Sequence, residues 1–167
     1  MTAIILIVVS YLIGSISFAL LISQAHGIDL RTVGSGNLGA TNLSRACGKK
    51  WAYICFALDT LKGFIPVIAA KILIIPKAPT PGILCVWLLI GAAAILGHIF
   101  PCFFNFKGGK GVATSFGVVL AIWPYYTIAG IAAFILWALV VLASKYISLG
   151  SVVAAAAFPI ILMILTA

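Results

Sequence analysis

Long stretches with almost no polar residue alternate along this chain with short connections rich in glycine and cations. Apolar runs occupy residues 3–23, 51–75, 83–100, 112–123, 125–143 and 151–166. At about 1.5 Å of rise per residue, the first, second, third and fifth can cross a hydrocarbon core of about 30 Å as helices. The fourth is too short to cross alone, so it must tilt, be re-entrant or be shielded by its neighbours. Trp123-Pro124-Tyr125 reads as an interfacial turn between the fourth and fifth runs, because proline breaks a helix and aromatics favour the headgroup zone. The pattern predicts six helices, one of them short. The first run lacks a basic leading segment and carries its positive charges afterwards, so it reads as a retained helix rather than a cleaved signal.

Composition turns that pattern into a fold class. Of the 167 residues, 65% are hydrophobic and 7% are charged, and the mean hydropathy is +1.32. A soluble domain needs about a quarter of its residues charged. The expected fold is an all-α polytopic membrane protein, a single domain over residues 1–167 with its motif loops at the cytoplasmic face. Ten cations face only two acids, Asp29 and Asp59, for a net charge of +8. That excess should meet anionic headgroups, an anionic substrate, or both. The connections after the first, third and fifth runs carry Arg31, Arg45, Lys49, Lys50, Lys107, Lys110 and Lys145. The positive-inside bias makes that face cytoplasmic and puts the N-terminus outside, with Lys71 and Lys77 at the turn between the second and third runs. Six crossings would leave the C-terminus outside as well. Cys47, Cys55, Cys85 and Cys102 show neither a CxxC pair nor metal-like spacing to histidine, so they read as small buried apolar residues. Neither metal nor cofactor is expected, and no nucleic acid partner.

Candidate chemistry lies in the polar connections. "GSGNLGATN", residues 34–42, has the spacing of a dinucleotide-binding turn, but it sits between membrane helices without the strand that such a turn requires. What survives is an anion nest, in which glycines aim several N–H groups at one point. Ser35, Gly36, Asn37, Gly39, Thr41 and Asn42 would line it, and the Arg45 guanidinium suits a phosphate. The plainer reading is a flexible turn with Thr41 as a helix N-cap. "NLS" at residues 42–44 is a glycosylation sequon, discounted because the loop should be cytoplasmic.

The second loop, "GHIFPCFFNFKGGKGVATS" at residues 97–115, is not a P-loop, since Lys110 is followed by Gly111 and the threonine arrives only at Thr114. Lys107, Gly108, Gly109, Lys110 and Gly111 nevertheless combine point charges and free amides with the positive end of a helix dipole. A basic anchor at the membrane edge is the alternative. His98 reads either as a general base or as a structural hydrogen-bonder. Lys145, Ser148 and Ser151 could complete an anion site or simply cap helices. Asp59 and Lys62, spaced i,i+3 in an apolar helix, should pair toward the bundle interior near its cytoplasmic end, as a salt bridge or to position a polar substrate.

With two acids in the chain, carboxylate-bound metal centres and paired-carboxylate hydrolysis are hard to build. The His-x4-Asp dyad common in glycerolipid acyltransferases is absent, because Phe103 stands five residues after His98. Such a site suits a substrate that brings its own phosphate and needs orientation and charge stabilisation.

"GSGNLGATN" with Arg45, "LDTLKG", "GHIFPCFFNFKGGKGVAT" and "SLGS" together resemble, in order and spacing, the acyl-phosphate-dependent glycerol-3-phosphate acyltransferases of bacterial inner membranes. The resemblance covers essentially the whole chain. It implies transfer of a fatty acyl group from acyl phosphate to the 1-hydroxyl of glycerol 3-phosphate, giving lysophosphatidic acid and inorganic phosphate. It also implies an N-out fold in the bacterial inner membrane with its active site facing the cytoplasm, and an upstream enzyme that forms acyl phosphate. Substrate phosphate binding would fall on residues 35–42, Arg45, residues 107–111 and Thr114, with Ser148 and Ser151 closing the site. Direct attack by the glycerol hydroxyl is favoured, with His98, Asp59 or the acyl phosphate itself as proton acceptor, and Lys107 beside the reacting groups. Members of this family usually carry a seventh helix and a polar tail, which this chain is expected to lack. Two other readings are a transporter of organic phosphate and a structural membrane subunit. A transporter needs its site near the midplane, and packing glycines belong inside helices, whereas here the glycines concentrate in cationic loops.

Overall fold

The sequence "GSIS" at residues 14–17 splits the first apolar run into two helices, α1 (Thr2–Gly14) and α2 (Phe18–Ala25). The serines satisfy the broken ends. Ser15 Oγ donates to the Tyr11 carbonyl at 2.9 Å, and Ser17 Oγ accepts from the Leu20 amide at 3.4 Å, in the manner of an N-cap. The computed structural model describes residues 1–166, and they are helical with no strand. A 3-10 turn (Leu30–Thr32) and α3 (Ala40–Cys47) fill the first polar connection. Beyond it come α4 (Lys49–Leu73), α5 (Pro81–Ile99), α6 (Val112–Ala121), α7 (Thr127–Ser144) and α8 (Ile147–Thr166).

Five helical stretches have the length and apolarity to cross a membrane, the first being α1 and α2 taken together. The short fourth run is the ten-residue α6. The chain divides into two compact units, Met1–Val118 and a second that begins at Val119.

In the first unit, glycines on facing helices bring backbones into contact. A Cβ on Gly14 would fall on the Ala94 carbonyl oxygen, and one on Gly97 on the Tyr11 carbonyl oxygen, so α1 and α5 accommodate each other through reciprocal glycines. Ser10 Oγ donates to the Ile90 carbonyl at 2.6 Å, and the Tyr11 hydroxyl to the Phe100 carbonyl at 2.8 Å. The same device joins α4 to α6, where Gly63 lies against the Thr114 carbonyl and Gly117 against that of Thr60. In lipid the apolar surfaces of two helices gain little by meeting, so close packing and interhelical hydrogen bonds carry the association. Ile4, Val8, Leu61, Ile65 and Ile72 stay exposed on the outer faces.

Beyond the carboxyl end of α5, buried Ala19, Leu20, Leu30, Leu38, Leu43 and Cys55 make a separate cluster, with Phe104 packed on it. This cluster ties α2, the 3-10 turn, α3 and the start of α4 to the loop that follows α5. Both glycine-rich loops are thereby fixed at one end of the unit.

In the second unit α7 ends at Lys145, which adopts the left-handed conformation with φ 62°. Helix α8 returns with Gly150 against Trp137 and Val141. Thr127 Oγ1 donates to the Val119 carbonyl at 2.8 Å. The expected third loop is much shorter than the sequence suggested, because Ser148 and Ser151 already lie in α8.

Candidate functional site

The first loop is organised around Asn42, a buried side chain with three hydrogen bonds. Its Nδ2 donates to the carbonyls of Leu30 (3.1 Å) and Val33 (2.9 Å), while its Oδ1 accepts from the Ser35 amide (3.2 Å). Asn42 therefore acts on the shape of the loop, with its amide group already engaged. The Asn42 Oδ1 occupies the space that a Cβ on Gly34 would need, and Gly34 and Gly36 have φ of 57° and 68°, where glycine alone is unstrained. The Gly36 amide donates to Val33 at 3.0 Å.

With those amides engaged, the N–H groups that open α3 are what the loop offers an anion, since the first turn of any helix leaves its donors without intrahelical partners. Gly39 is the N-cap and no side chain bonds that end, so Thr41 stands inside α3 rather than capping it. Thr41 and Arg45, both exposed, share a face at i,i+4. The Arg45 stem passes 3.7 Å from the Cβ position of Gly34. Ser35 is exposed, and Asn37 is half-buried with its Oδ1 against Gly39. Arg31 is engaged elsewhere, its guanidinium holding Asp29, the N-cap of the 3-10 turn, through Nε–Oδ1 and Nη2–Oδ2 contacts of 2.9 Å. These bonds, together with one from the Arg31 amide, hold the Asp29 carboxyl below its ordinary value.

The second loop folds back on the helix it leaves. The amides of Gly108 and Gly109 donate to the carbonyls of Ile99 and His98, each at 3.1 Å, and Phe106 and Lys107 donate to Pro101 and Phe104. The glycine amides thus cap the last carbonyls of α5, which would otherwise lack partners. Beyond these turns α6 begins after Gly111 at φ 79°, its first turn buried or half-buried, with Lys107 and Lys110 exposed just before it. Thr114 is fully buried, and its Oγ1 has no hydrogen-bond partner among the described residues.

Between the two loops lies a buried charged cluster. Lys62 Nζ is 2.9 Å from Asp59 Oδ1 and donates to the Ile16 carbonyl at 2.6 Å, within the break between α1 and α2. Cys55 Sγ donates to Asp59 Oδ2 at 3.4 Å. His98 Nδ1 stands 3.6 Å from Asp59 Oδ1, and the side chains of Lys62, Asp59 and His98 are 2%, 3% and 6% exposed. His98 is next to last in α5, whereas Asp59 is about ten residues into α4. The first ten residues or so of α4, about 15 Å, therefore extend past the end of α5. The pair lies inside the bundle at the level where α5 ends.

Lys145, Ser148 and Ser151 belong to the second unit. Lys145 is exposed at the end of α7, Ser148 is exposed, and Ser151 donates to the Ile147 carbonyl at 2.8 Å.

Membrane-length helices, with two helix amino termini and exposed cations gathered at one end of the first unit, define a multi-pass integral membrane protein. The comparisons carry this further: a family model described as glycerol-3-phosphate acyltransferase matches residues 4–167, and the chain belongs to that family. It is 46% identical over 157 residues to the glycerol-3-phosphate acyltransferase of Aquifex aeolicus, covering 92% of this chain and 76% of that one. Against the enzyme of the same name from Lawsonia intracellularis it is 45% identical over 161 residues, covering 95% and 75%. Among solved structures it is similar to PlsY, an integral membrane glycerol 3-phosphate acyltransferase. The crystal structure of the glycerol 3-phosphate form gives a TM-score of 0.86 at 42% identity, over 98% of this chain and 78% of that one. The lysophosphatidic acid form gives 0.84 at 40% identity, over 98% and 77%.

Proposed function

We propose that this chain transfers a fatty acyl group from acyl phosphate to the sn-1 hydroxyl of glycerol 3-phosphate, releasing lysophosphatidic acid and inorganic phosphate. The observation that carries the proposal is the pair of helix amino termini, those of α3 and α6, set at one end of the same unit beside Arg45 and beside Lys107 and Lys110. Donor and acceptor each bring a phosphate, and a helix amino terminus with a neighbouring cation is an anion site. The positive-inside bias supports a cytoplasmic placement of this end, and the bacterial relatives support the inner membrane as its location.

In the reaction the glycerol hydroxyl oxygen attacks the acyl carbonyl carbon, the carbon–oxygen bond to phosphate breaks, and the hydroxyl proton ends on the departing phosphate. Because the leaving group is itself a base, no side chain has to take that proton. This suits a site in which His98 and Asp59 are almost wholly buried. Arg45, Lys107 and Lys110 would hold the phosphates and offset the charge that develops during transfer. Ser35, Asn37 and Thr41 would orient the polar ends, and Asn42 would keep the first loop in shape. An acyl phosphate is a reactive mixed anhydride, so an acyl-phosphate-forming enzyme would have to supply it.

The test is phosphate release by the purified chain in lipid, given palmitoyl phosphate with and without glycerol 3-phosphate. Acceptor-dependent release with formation of lysophosphatidic acid is expected, and acyl-CoA should not replace the acyl phosphate. Efficient turnover with acyl-CoA would overturn the donor assignment. No release from a folded sample would overturn the proposal as a whole.

A further inference from the structure

His98 touches the second loop twice. Through its main chain, its carbonyl takes the Gly109 amide at 3.1 Å, while the next carbonyl takes that of Gly108 at the same distance. Through its side chain, the Nε2 edge of the imidazole fills the place where a Cβ on Gly109 would stand. The opposite edge, Nδ1, faces Asp59 at 3.6 Å. Asp59 is in turn held by Lys62 and Cys55, and Lys62 is tied to the Ile16 carbonyl. The ring is therefore clamped between a carboxylate with two other partners and a glycine that has no side chain to yield. Two residues beyond that glycine, the Gly111 carbonyl accepts the Ser115 amide at 2.7 Å and opens α6. A displacement of Gly109 passes through Lys110 alone before it reaches the amino terminus of α6.

We propose that His98 is a positioning residue, holding the turn at Gly108 and Gly109 against Asp59 so that Lys107, Lys110 and the amino terminus of α6 remain aimed at a substrate phosphate. The inference rests on the acyl-transfer reading for what is aimed at, but not for the clamp itself. The imidazole reaches substrate only through the loop. A planar ring suits this role, because its two edges keep a fixed separation that a flexible side chain would not.

The experiment compares His98→Ala, His98→Gln, Gly109→Ala and the double variant His98→Ala/Gly109→Ala. Each is purified in lipid and assayed for kcat and KM per folded molecule. Misplacing a catalytic site by about 1 Å costs on the order of 100-fold, so His98→Ala should lower kcat by about 10- to 100-fold. Glutamine places its terminal nitrogen near the position of Nε2 and should recover much of that loss, whereas an amide cannot replace a proton acceptor. Gly109→Ala should be as damaging as His98→Ala in the parent background, yet change kcat by less than about twofold once His98 is alanine, the non-additivity expected of residues in contact. Equal inactivity of the Gln and Ala variants would overturn the proposal in favour of proton transfer. Parental kcat in His98→Ala, or an equal effect of Gly109→Ala in both backgrounds, would overturn it outright.

A second readout needs no turnover. Tryptic cleavage after Lys107 and Lys110 should be faster in His98→Ala than in the parent, and slower again in His98→Gln. Should the parent release no phosphate while cleavage follows this order, the clamp stands and the acyl-transfer reading falls. Unchanged cleavage in His98→Ala would remove the clamp whatever the activity.

Discussion

Lys62→Met tests the buried cluster most directly, because methionine keeps most of the stem and removes only the charge. Three contacts disappear: the ion pair to Asp59 at 2.9 Å, the hydrogen bond to the Ile16 carbonyl at 2.6 Å, and the weaker approach of the ammonium to the Phe18 ring at 5.7 Å from its centroid. Removing one partner of a buried pair costs about 3–5 kcal/mol. The lower end, about 3 kcal/mol, applies here because the Cys55 thiol and His98 still flank the carboxylate. An orphaned buried carbonyl adds about 1–3 kcal/mol. The expected loss is thus about 4–6 kcal/mol, and at roughly 2–4 °C per kcal/mol for a chain of this size the melting temperature should fall by about 8–24 °C. The double variant Asp59→Asn/Lys62→Met removes both charges and should melt above Lys62→Met, since an uncompensated buried charge is worse than none. Tryptophan fluorescence during thermal unfolding in lipid nanodiscs reads all three proteins. A shift of less than about 2 °C for Lys62→Met, or a double variant that melts below it, would refute the reasoning.

Two further substitutions address the proposed phosphate sites, and a pair of glycine variants the helix packing. Arg45→Ala and Lys107→Ala should each lower kcat/KM by about 10- to 100-fold, the equivalent of one charge-assisted hydrogen bond, with yield of folded protein intact; full activity in either variant removes that residue from the site. Gly117→Val places its Cβ on the Thr60 carbonyl oxygen and should cost about 1–3 kcal/mol or more through overpacking, seen as a lower melting temperature. Gly82→Ala, with open space around its Cβ position, should melt no lower than the parent, and equal melting of the two glycine variants would contradict the packing account.

The helical membrane class was legible because a chain with 7% charged residues cannot clothe a soluble fold. The shortness of α6 was equally plain from the distance between polar connections. The break between α1 and α2 was not, since two serines and a glycine in an apolar run look like tolerated small residues until their side chains are seen closing the helix ends. The glycines in the cationic loops read as anion donors by their spacing, yet the Gly108 and Gly109 amides are engaged by the last carbonyls of α5, which only the fold-back of the loop reveals. Asn42 sits among candidate ligands in the sequence, and nothing local reveals that three loop contacts engage it. The pairing of Asp59 with Lys62 follows from their spacing. The nearness of His98 does not, because it depends on how far α4 runs past α5.

The contacts of α1 have a consequence for how the protein is made. Its polar and glycine-mediated ties run to α5, with Tyr11 bonded to a carbonyl 89 residues later in the chain. At a synthesis rate of about 5–20 residues per second, that partner emerges roughly 4–18 seconds after Tyr11 itself. For that interval the hydroxyls and glycine notch of the nascent α1 lack their α5 partners, and α4 is the packing neighbour delivered before them. Release of α1 into open bilayer before α5 arrives would force the two helices to find each other by lateral diffusion, so biogenesis favours machinery that retains the first helix until the third membrane span has been delivered.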